Sequence, residues 1–424
     1  MKREFKLSKY NYFFSDGKDN YICNTFSGGI AKLEPGGKER LENFENYTGE
    51  LDDFYKLAIK NGYIINADVD EKEILNYYRT NMICTSDQAA YEILTTTGCN
   101  ARCFYCFEEK VKVKTMSIET AKRVSEFIIS RAKNTKRILI QWFGGEPLVN
   151  PDVITCITKE LDENLKDKGV ELVYKMTTNG SLINDKILKQ MKEVWHISSI
   201  QVTLDGMKNE YEKRKAYINM PNAFDKVIKN INSLAKEGIK VRIRLNYDLD
   251  NFNNILNLID YLGQAITDKK NVVCYAYPLF ETGKTKSPDE REIAIKLIEI
   301  NKRIIKNHLS KSKEIFTMHF SVNKCYACSR NSFLINPEGK LGKCSMALNE
   351  EDFIGDVWSP IPLNENYLKW CSTELPSEEC HSCKFLPFCQ GGCKAGHLGY
   401  SPVKHYIYKN CFDDILLELV KANC

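Results

Sequence analysis

From Ala89 to Phe280 six apolar runs with strand character, Tyr91–Thr95, Ile138–Phe143, Leu172–Met176, Ile200–Leu204, Val241–Leu245 and Val272–Tyr277, alternate with helical patterns. The helical patterns fall at Ser117–Ala132, Val153–Leu165, Asp185–Val194, Ala223–Ala235 and Ile255–Leu262. Strands each followed by an amphipathic helix pair in parallel, because the crossover returns the chain to the same end of the sheet, and it does so with a right hand. The expectation is an α/β core, either a partial barrel or an open doubly wound sheet, with its chemistry at the carboxyl ends of the strands. One more helix is expected from Pro288 to about His308.

Residues 1–82 read differently. Tyr10–Phe14 and Tyr21–Thr25, joined through Asp16-Gly17 and followed by Ser27-Gly28-Gly29, predict a small antiparallel sheet. Helical patterns follow at Leu51, Phe54, Leu57 and Ala58 and at Ile74, Tyr77 and Tyr78. Such a module resembles a winged helix; a structural cap on the next domain is the alternative. The first dozen residues are charged and lack the apolar stretch of a secretory signal, so a cytoplasmic location is expected. No run approaches the roughly 18 apolar residues of a membrane span. With 60 basic and 56 acidic residues the net charge is +4, too small for a nucleic-acid footprint. Neither membrane nor nucleic acid is expected as a partner.

The chain of 424 residues holds 17 cysteines, three of them between 99 and 106 and ten in the last 100 residues. In a reducing compartment such clustering points to metal or redox chemistry rather than disulfides. The segment Thr97-Gly98-Cys99-Asn100-Ala101-Arg102-Cys103-Phe104-Tyr105-Cys106 directly follows the first strand of the alternating region. Three thiolates on one tight loop can face a single inorganic centre. Three ligands rather than four leave one iron of a cubane free to bind something else.

This spacing, with an aromatic ahead of the last cysteine, resembles the cluster loop of the radical S-adenosylmethionine (SAM) superfamily, which implies a (β/α)6 partial TIM barrel. Gly144-Gly145-Glu146-Pro147 after the second strand is similar to the family's segment for the SAM amino group, with Glu146 as its acid. Thr177-Thr178-Asn179-Gly180 and Thr203-Leu204-Asp205-Gly206 stand where the family contacts ribose and carboxylate, which implicates Asn179 and Thr203. Here Thr203 replaces the usual serine, and Tyr211-Glu212 stands where His-Asp is usual. Arg214, or Lys215 one position on, matches the basic residue that follows; Arg244 is a second candidate for the SAM carboxylate. The loop around Tyr105 is expected near the adenine.

Downstream the spacing is Cys325-X2-Cys328-X10-Gly339-X4-Cys344, then Cys380-X2-Cys383-X5-Cys389-X3-Cys393, then X17 to Cys411. It resembles the SPASM pattern of auxiliary iron-sulfur domains, with one extra upstream cysteine. The resemblance implies two auxiliary 4Fe-4S clusters, one held by Cys325, Cys328, Cys344 and Cys393 and the other by Cys380, Cys383, Cys389 and Cys411. Zinc, which also takes paired Cys-X2-Cys units, is the alternative. Cys23, Cys84, Cys156, Cys274, Cys371 and Cys424 have no assigned task, and His381, His397 and His405 read as structural neighbours of the clusters.

The implied organisation is a winged-helix-like peptide-recognition domain at 1–82, a radical SAM partial barrel at 83–310 and a SPASM domain at 311–424. The implied cofactors are SAM and three 4Fe-4S clusters. The whole resembles radical SAM maturases of ribosomally made peptides, with a leader-bearing precursor peptide and an electron donor such as flavodoxin or ferredoxin as partners. The leading expectation is a 5'-deoxyadenosyl radical that closes an intramolecular Cys thioether. A carbon-carbon or ether crosslink, sulfatase-maturase-like protein oxidation, and a non-catalytic iron-sulfur or zinc protein that binds peptides are the alternatives. Four cysteines for the first auxiliary cluster leave either one of Cys325 and Cys328 unligated or no open iron for a substrate sulfur.

Overall fold

A computed structural model describes residues 4–109, 111–279, 289–311, 325–359, 364–400 and 407–423. Phe280, Pro288, His405 and Cys424 lie outside the described residues. The N-terminal module begins with β1 (Phe5–Leu7), followed by β2 (Asn11–Ser15), β3 (Asn20–Asn24) and β4 (Ile30–Lys32). The last three form an antiparallel sheet in the order β2-β3-β4. The first hairpin closes at Asp16, whose Oδ1 accepts from Lys18 N and Asp19 N at 2.9 and 2.7 Å. Helices α1 (Gly37–Glu42) and α2 (Asp53–Lys60) follow, then β5 (Ile64–Asn66), which pairs with β1, and α3 (Glu71–Cys84).

Alternation along β3 gives this sheet two buried faces. Ile22 points into a core with Leu41, Tyr55 and Ile64. Tyr21 and Cys23 point the other way, onto Phe412, Ile415 and Leu416 of the last helix, Phe412–Asn423.

Six parallel strands come next: β6 (Gln88–Leu94), β7 (Arg137–Phe143), β8 (Glu171–Thr178), β9 (Ile197–Leu204), β10 (Lys240–Tyr247) and β11 (Val272–Pro278). They lie side by side in chain order. Between and after them run α4 (Ile118–Arg131), α5 (Pro151–Leu165), α6 (Asp185–Glu193), α7 (Lys208–Lys215), α8 (Ala223–Lys236), α9 (Phe252–Ala265) and α10 (Glu290–Lys306). Every second strand residue is buried in the core, among them Tyr91, Ile93, Ile138, Ile140, Trp142, Ile200, Val202, Ile243 and Leu245. The alternate, half-open positions carry Glu92, Gln141, Lys175, Gln201 and Arg244. A sheet with one apolar and one polar face at the same period is what a barrel wall requires.

Two features of the barrel sheet and its helices depart from the sequence reading. Helix α7 is absent from it because the segment KNEYEKRK is almost wholly charged and carries no apolar stripe. The sheet also continues past the expected boundary at 310: β12 (Ser332–Ile335) lies parallel to β6, and β13 (Lys340–Gly342) and β14 (Gly355–Asp356) add antiparallel strands. The four residues of β12 are all buried, a run too short for periodicity to reveal. Among the described residues no helix is long and apolar enough to cross a membrane.

Candidate functional site

At the end of β6 the chain enters the loop that carries Cys99, Cys103 and Cys106. Backbone bonds pin the loop where it leaves and returns: Thr97 N donates to Lys114 O at 2.9 Å and Met116 N to Thr95 O at 3.0 Å. The end of β7 lies flat against its entry, with Gly145 N on Thr96 O and Glu146 N on Gly98 O, both at 3.0 Å. No side chain fits there. A Cβ on Gly144 would meet Thr96 O at 2.1 Å and one on Gly145 would meet Gly98 O at 2.4 Å, and Gly144 has φ +114°.

The three thiols line one cavity of about 340 Å³, together with Tyr105, Glu108, Gly144, Gly145, Asn179, Thr203 and Lys215. Burial raises Cys99 and Cys106 to about 11 each, so their protons leave when a cation arrives to replace them. Asn179 Nδ2 donates to Asn100 Oδ1 at 2.8 Å and lies 3.9 Å from Cys99 Sγ. Tyr105 turns its hydroxyl inward: it donates to Asp205 Oδ2 at 2.7 Å and accepts from Lys215 Nζ at 2.8 Å. Burial opposes the charge on Lys215, but Asp205 and Tyr105 outweigh it and hold the amine protonated above its ordinary range.

Of the expected SAM contacts, Tyr105, Gly144, Gly145, Asn179 and Thr203 line this cavity; Glu146, Pro147, Arg214 and Arg244 do not. Glu146 is fully buried. Its Oε1 accepts from Thr178 Oγ1 and Leu148 N at 2.7 and 3.1 Å, and its Oε2 from Asn179 N at 2.8 Å. The side chain therefore braces the ends of β7 and β8 against each other, and Pro147 starts a single 3-10 turn behind it. Arg214 is held by both oxygens of Asp248, at 2.7 and 3.1 Å, and by Glu210. Its guanidinium also lies 5.2 Å from the Phe104 ring centroid, so both of the last two basic residues of α7 reach the loop, but only Lys215 lines the cavity. Arg244 lies 3.9 Å over the Tyr277 ring and donates to Asn246 Oδ1 at 2.9 Å.

Cys325, Cys328, Cys344 and Cys393 share one neighbourhood. Cys325 bears electrostatically on Cys328 and Cys393, and Cys344 on Cys325 and Cys393. Ala327, Ala347, Trp370 and Ala395 form the apolar floor beneath Cys344 and Cys393. Cys380 lies on the short helix Glu379–Ser382, Cys383 caps it, and Cys389 ends the helix Leu386–Cys389. Cys411 is buried beside Phe385, Phe388 and Phe412. His397 Nε2 bonds Gly391 O at 2.7 Å. Among the described residues no three His, Cys, Asp or Glu side chains converge on a single-ion position.

Two acids escaped the sequence reading. Glu92 stands on the half-open side of β6, and burial pushes its carboxyl up to about 7 against weaker help from Tyr326 and Ser345, the neighbours of Cys325 and Cys344. Glu108, just past Cys106, is pushed up to about 8 by burial and by Glu92. Oε1 of each lacks a hydrogen-bond partner. The available signal was an acid inside the otherwise apolar run of β6.

Residues 93–265 match the Radical SAM superfamily. The chain is similar to the radical SAM cyclopropyl synthase TigE of Paramaledivibacter caminithermalis, with 24% identity over 92% of this chain and 90% of that protein. It is also similar to the cysteine-type anaerobic sulfatase-maturating enzyme of Clostridium novyi, with 22% identity over 70% of this chain and 86% of that protein. Among solved structures, native anSMEcpe with bound AdoMet and Cp18Cys peptide has a TM-score of 0.63 at 17% identity, covering 79% of this chain and 99% of that one. Streptococcus suis SuiB bound to precursor peptide SuiA has a TM-score of 0.54 at 16% identity, covering 92% and 95%. These likenesses show the α/β partial-barrel fold.

Three thiols on one loop, facing a cavity whose other wall is bare backbone at Gly144 and Gly145, fit the superfamily's cofactors, SAM and a 4Fe-4S cluster. Residues 93–265 carry a radical SAM domain, and the chain is an enzyme.

Proposed function

We propose that this enzyme matures a precursor peptide, closing an intramolecular bond between an acceptor carbon and a cysteine sulfur. When bound, SAM and the cluster supply hydrogen-atom abstraction from an unactivated carbon. Cys99, Cys103 and Cys106 hold the cluster. The backbone at Gly144 and Gly145 takes the SAM amine, Asn179 and Thr203 the ribose, and Tyr105 the adenine side. Lys215 takes the carboxylate in place of Arg214 and Arg244, since it lines the cavity and its ammonium has three donors, of which one is used on Tyr105 beside the ion pair with Asp205.

The observation that carries this reading is the gathering of Cys325, Cys328, Cys344 and Cys393, the first and third of them beside Glu92 on the strand that leads into Cys99. Closing a carbon-sulfur bond removes two hydrogens from the peptide. One leaves as an atom; the other leaves as a proton and an electron, and the electron needs an acceptor close by. Two auxiliary 4Fe-4S clusters, at these four thiols and at Cys380, Cys383, Cys389 and Cys411, provide one. In this reading residues 311–424 are a SPASM domain and 1–82 a winged-helix-like domain whose edge strands take the leader by backbone pairing. Flavodoxin or ferredoxin serves as the reductant in the cytoplasm. The relatives named for peptides, SuiB and anSMEcpe, support a peptide substrate.

Carbon-carbon closure is the second reading. It is favoured by the four thiols of the first set, which leave no iron for a substrate sulfur, and by the similarity to a cyclopropyl synthase. Anaerobic reaction with any short Cys-containing peptide found encoded in a neighbouring reading frame, followed by alkylation and mass analysis, tests both. A product short of two hydrogens with one alkylatable thiol fewer supports the thioether; the same loss with all thiols alkylatable supports the second reading. Failure of the reduced wild-type protein to form 5'-deoxyadenosine, or an unchanged peptide, would refute peptide maturation.

A further inference from the structure

Helix α3 leaves the N-terminal module with one buried face, Glu71, Leu75, Arg79 and Ile83. Three of these have ordinary partners. Glu71 accepts from Ser8 Oγ and Lys9 N at 2.6 and 3.0 Å, Leu75 packs with Tyr10 and Leu386, and Ile83 O accepts from Arg330 N at 2.9 Å. Arg79 has none. It is 2% exposed, and its Nε, Nη1 and Nη2 all lack a hydrogen-bond partner. Among the described residues no carboxylate pairs with it. One turn before Arg79, Leu75 packs with Cys380, and one turn after it Ile83 lines the same cavity as Cys328; the thiols of Cys328 and Cys380 bear favourably on the charge of Arg79, and Lys394 adds a like charge nearby.

A buried lysine escapes such a position by losing its proton; a guanidinium does not. A fixed positive charge, out of water and unpaired, is strongly unfavourable unless an anion faces it. Cys328 belongs to one set of four thiols and Cys380 to the other. A 4Fe-4S centre with four thiolates is net anionic, and its sulfurs accept hydrogen bonds.

We propose that Arg79 is the shared counter-charge of the two auxiliary iron-sulfur centres, its guanidinium donating to sulfurs at Cys328 on one side and at Cys380 on the other. The inference rests on the reading of those cysteines as cluster ligands. Because reduction adds negative charge to a cluster, a fixed cation beside it raises the potential. Arg79 is in this sense a positioning residue: it touches no substrate, and it makes the clusters better acceptors for the electron released when the peptide bond-forming step closes. It also ties the helix that ends the N-terminal module to the two centres.

The test uses the anaerobically reconstituted full chain, wild type, Arg79→Met and Arg79→Lys, read by iron content and by a redox titration followed by electron paramagnetic resonance. Wild type is expected to hold about twelve irons, from three four-iron clusters. In Arg79→Met at least one auxiliary centre should move to a more negative midpoint or lose its iron, with the centre at Cys99, Cys103 and Cys106 unmoved. Arg79→Lys, which restores the charge, should recover most of that change. Full iron with all midpoints unchanged in Arg79→Met would overturn the inference. So would equal loss in Arg79→Met and Arg79→Lys, the result a packing role gives. A wild-type protein with only about four irons would remove the cluster assignment itself, a different failure from an unmoved potential.

Discussion

Lys215 Nζ lies 3.2 Å from Asp205 Oδ2 in the wall of the thiol-lined cavity, and both side chains are sealed from solvent. Tyr105 bridges them through its hydroxyl. Asp205→Asn leaves the ammonium buried without its counter-charge, and breaking a buried pair in this way costs about 3–5 kcal/mol. Urea unfolding should show a loss of that order, and calorimetric titration should show SAM binding weakened by roughly tenfold or more. Unaltered stability together with unaltered SAM affinity would remove the triad from the cofactor site.

Gly144→Ala should be far more damaging than Gly169→Ala. Both glycines have positive φ, so each substitution carries the left-handed penalty of about 1–2 kcal/mol. At Gly169 nothing lies within 4 Å of a new Cβ, whereas at Gly144 the Thr96 carbonyl oxygen would be 2.1 Å away. The added overlap forces the cluster loop off the end of β7. Iron incorporation and thermal midpoint, measured on both variants, should separate them clearly; equal behaviour would mean that the loop does not rest on Gly144.

Asp70 caps α3, accepting from Lys72 N and Glu73 N at 2.8 and 3.3 Å. The amides of Glu73 and Lys72 hold its carboxyl below 3.8, so its contribution is present above that pH and is lost as the pH falls through the folded-state value. Asp70→Ala should destabilise by about 1 kcal/mol at neutral pH. The difference from wild type should shrink in acid below pH 3.8. Urea midpoints across that range check the sign: a gap that widens on acidification would contradict the cap.

Cysteine replacements should sort by neighbourhood. Cys344→Ala removes one thiol of a set of four and should reduce bound iron by up to about four atoms per chain. Cys156→Ala, on α5 with only Glu160 and Lys122 bearing on it, should leave iron unchanged. Iron analysis with visible absorption after anaerobic reconstitution reads both; iron lost in Cys156→Ala or retained in full in Cys344→Ala would contradict the sorting.

Much of the barrel was legible because its signals are local. Strands β6 to β11 alternate buried and half-open side chains within seven or eight residues, and each except β9 is followed directly by a helix with an apolar stripe, so period alone marks them. The cysteine loop and the glycine pair at the end of β7 are contiguous motifs and were legible for the same reason. Elements without an internal period were not. Charged α7 and four-residue β12 become ordered only against neighbours brought in from elsewhere in the chain.

Residue order was enough to specify the parallel α/β core, the three-thiol loop at its first strand end and the clustering of cysteines between 325 and 411, since each is written in consecutive or regularly spaced residues. Which side chain serves which part depended on contacts between distant segments. Lys215 meets Tyr105 across 110 positions and Tyr105 meets Asp205 across 100, and these contacts bring Lys215, not Arg214, into the cavity wall. Glu146 is drawn away from the cavity by Thr178 and Asn179, over 30 residues ahead of it. Arg79, an ordinary charged residue of an ordinary helix in the sequence, gains its meaning from burial between thiols about 250 and 300 residues further along the chain. Pattern fixes what a segment becomes; burial and charge balance, which exist only once the segments meet, fix what its side chains can do.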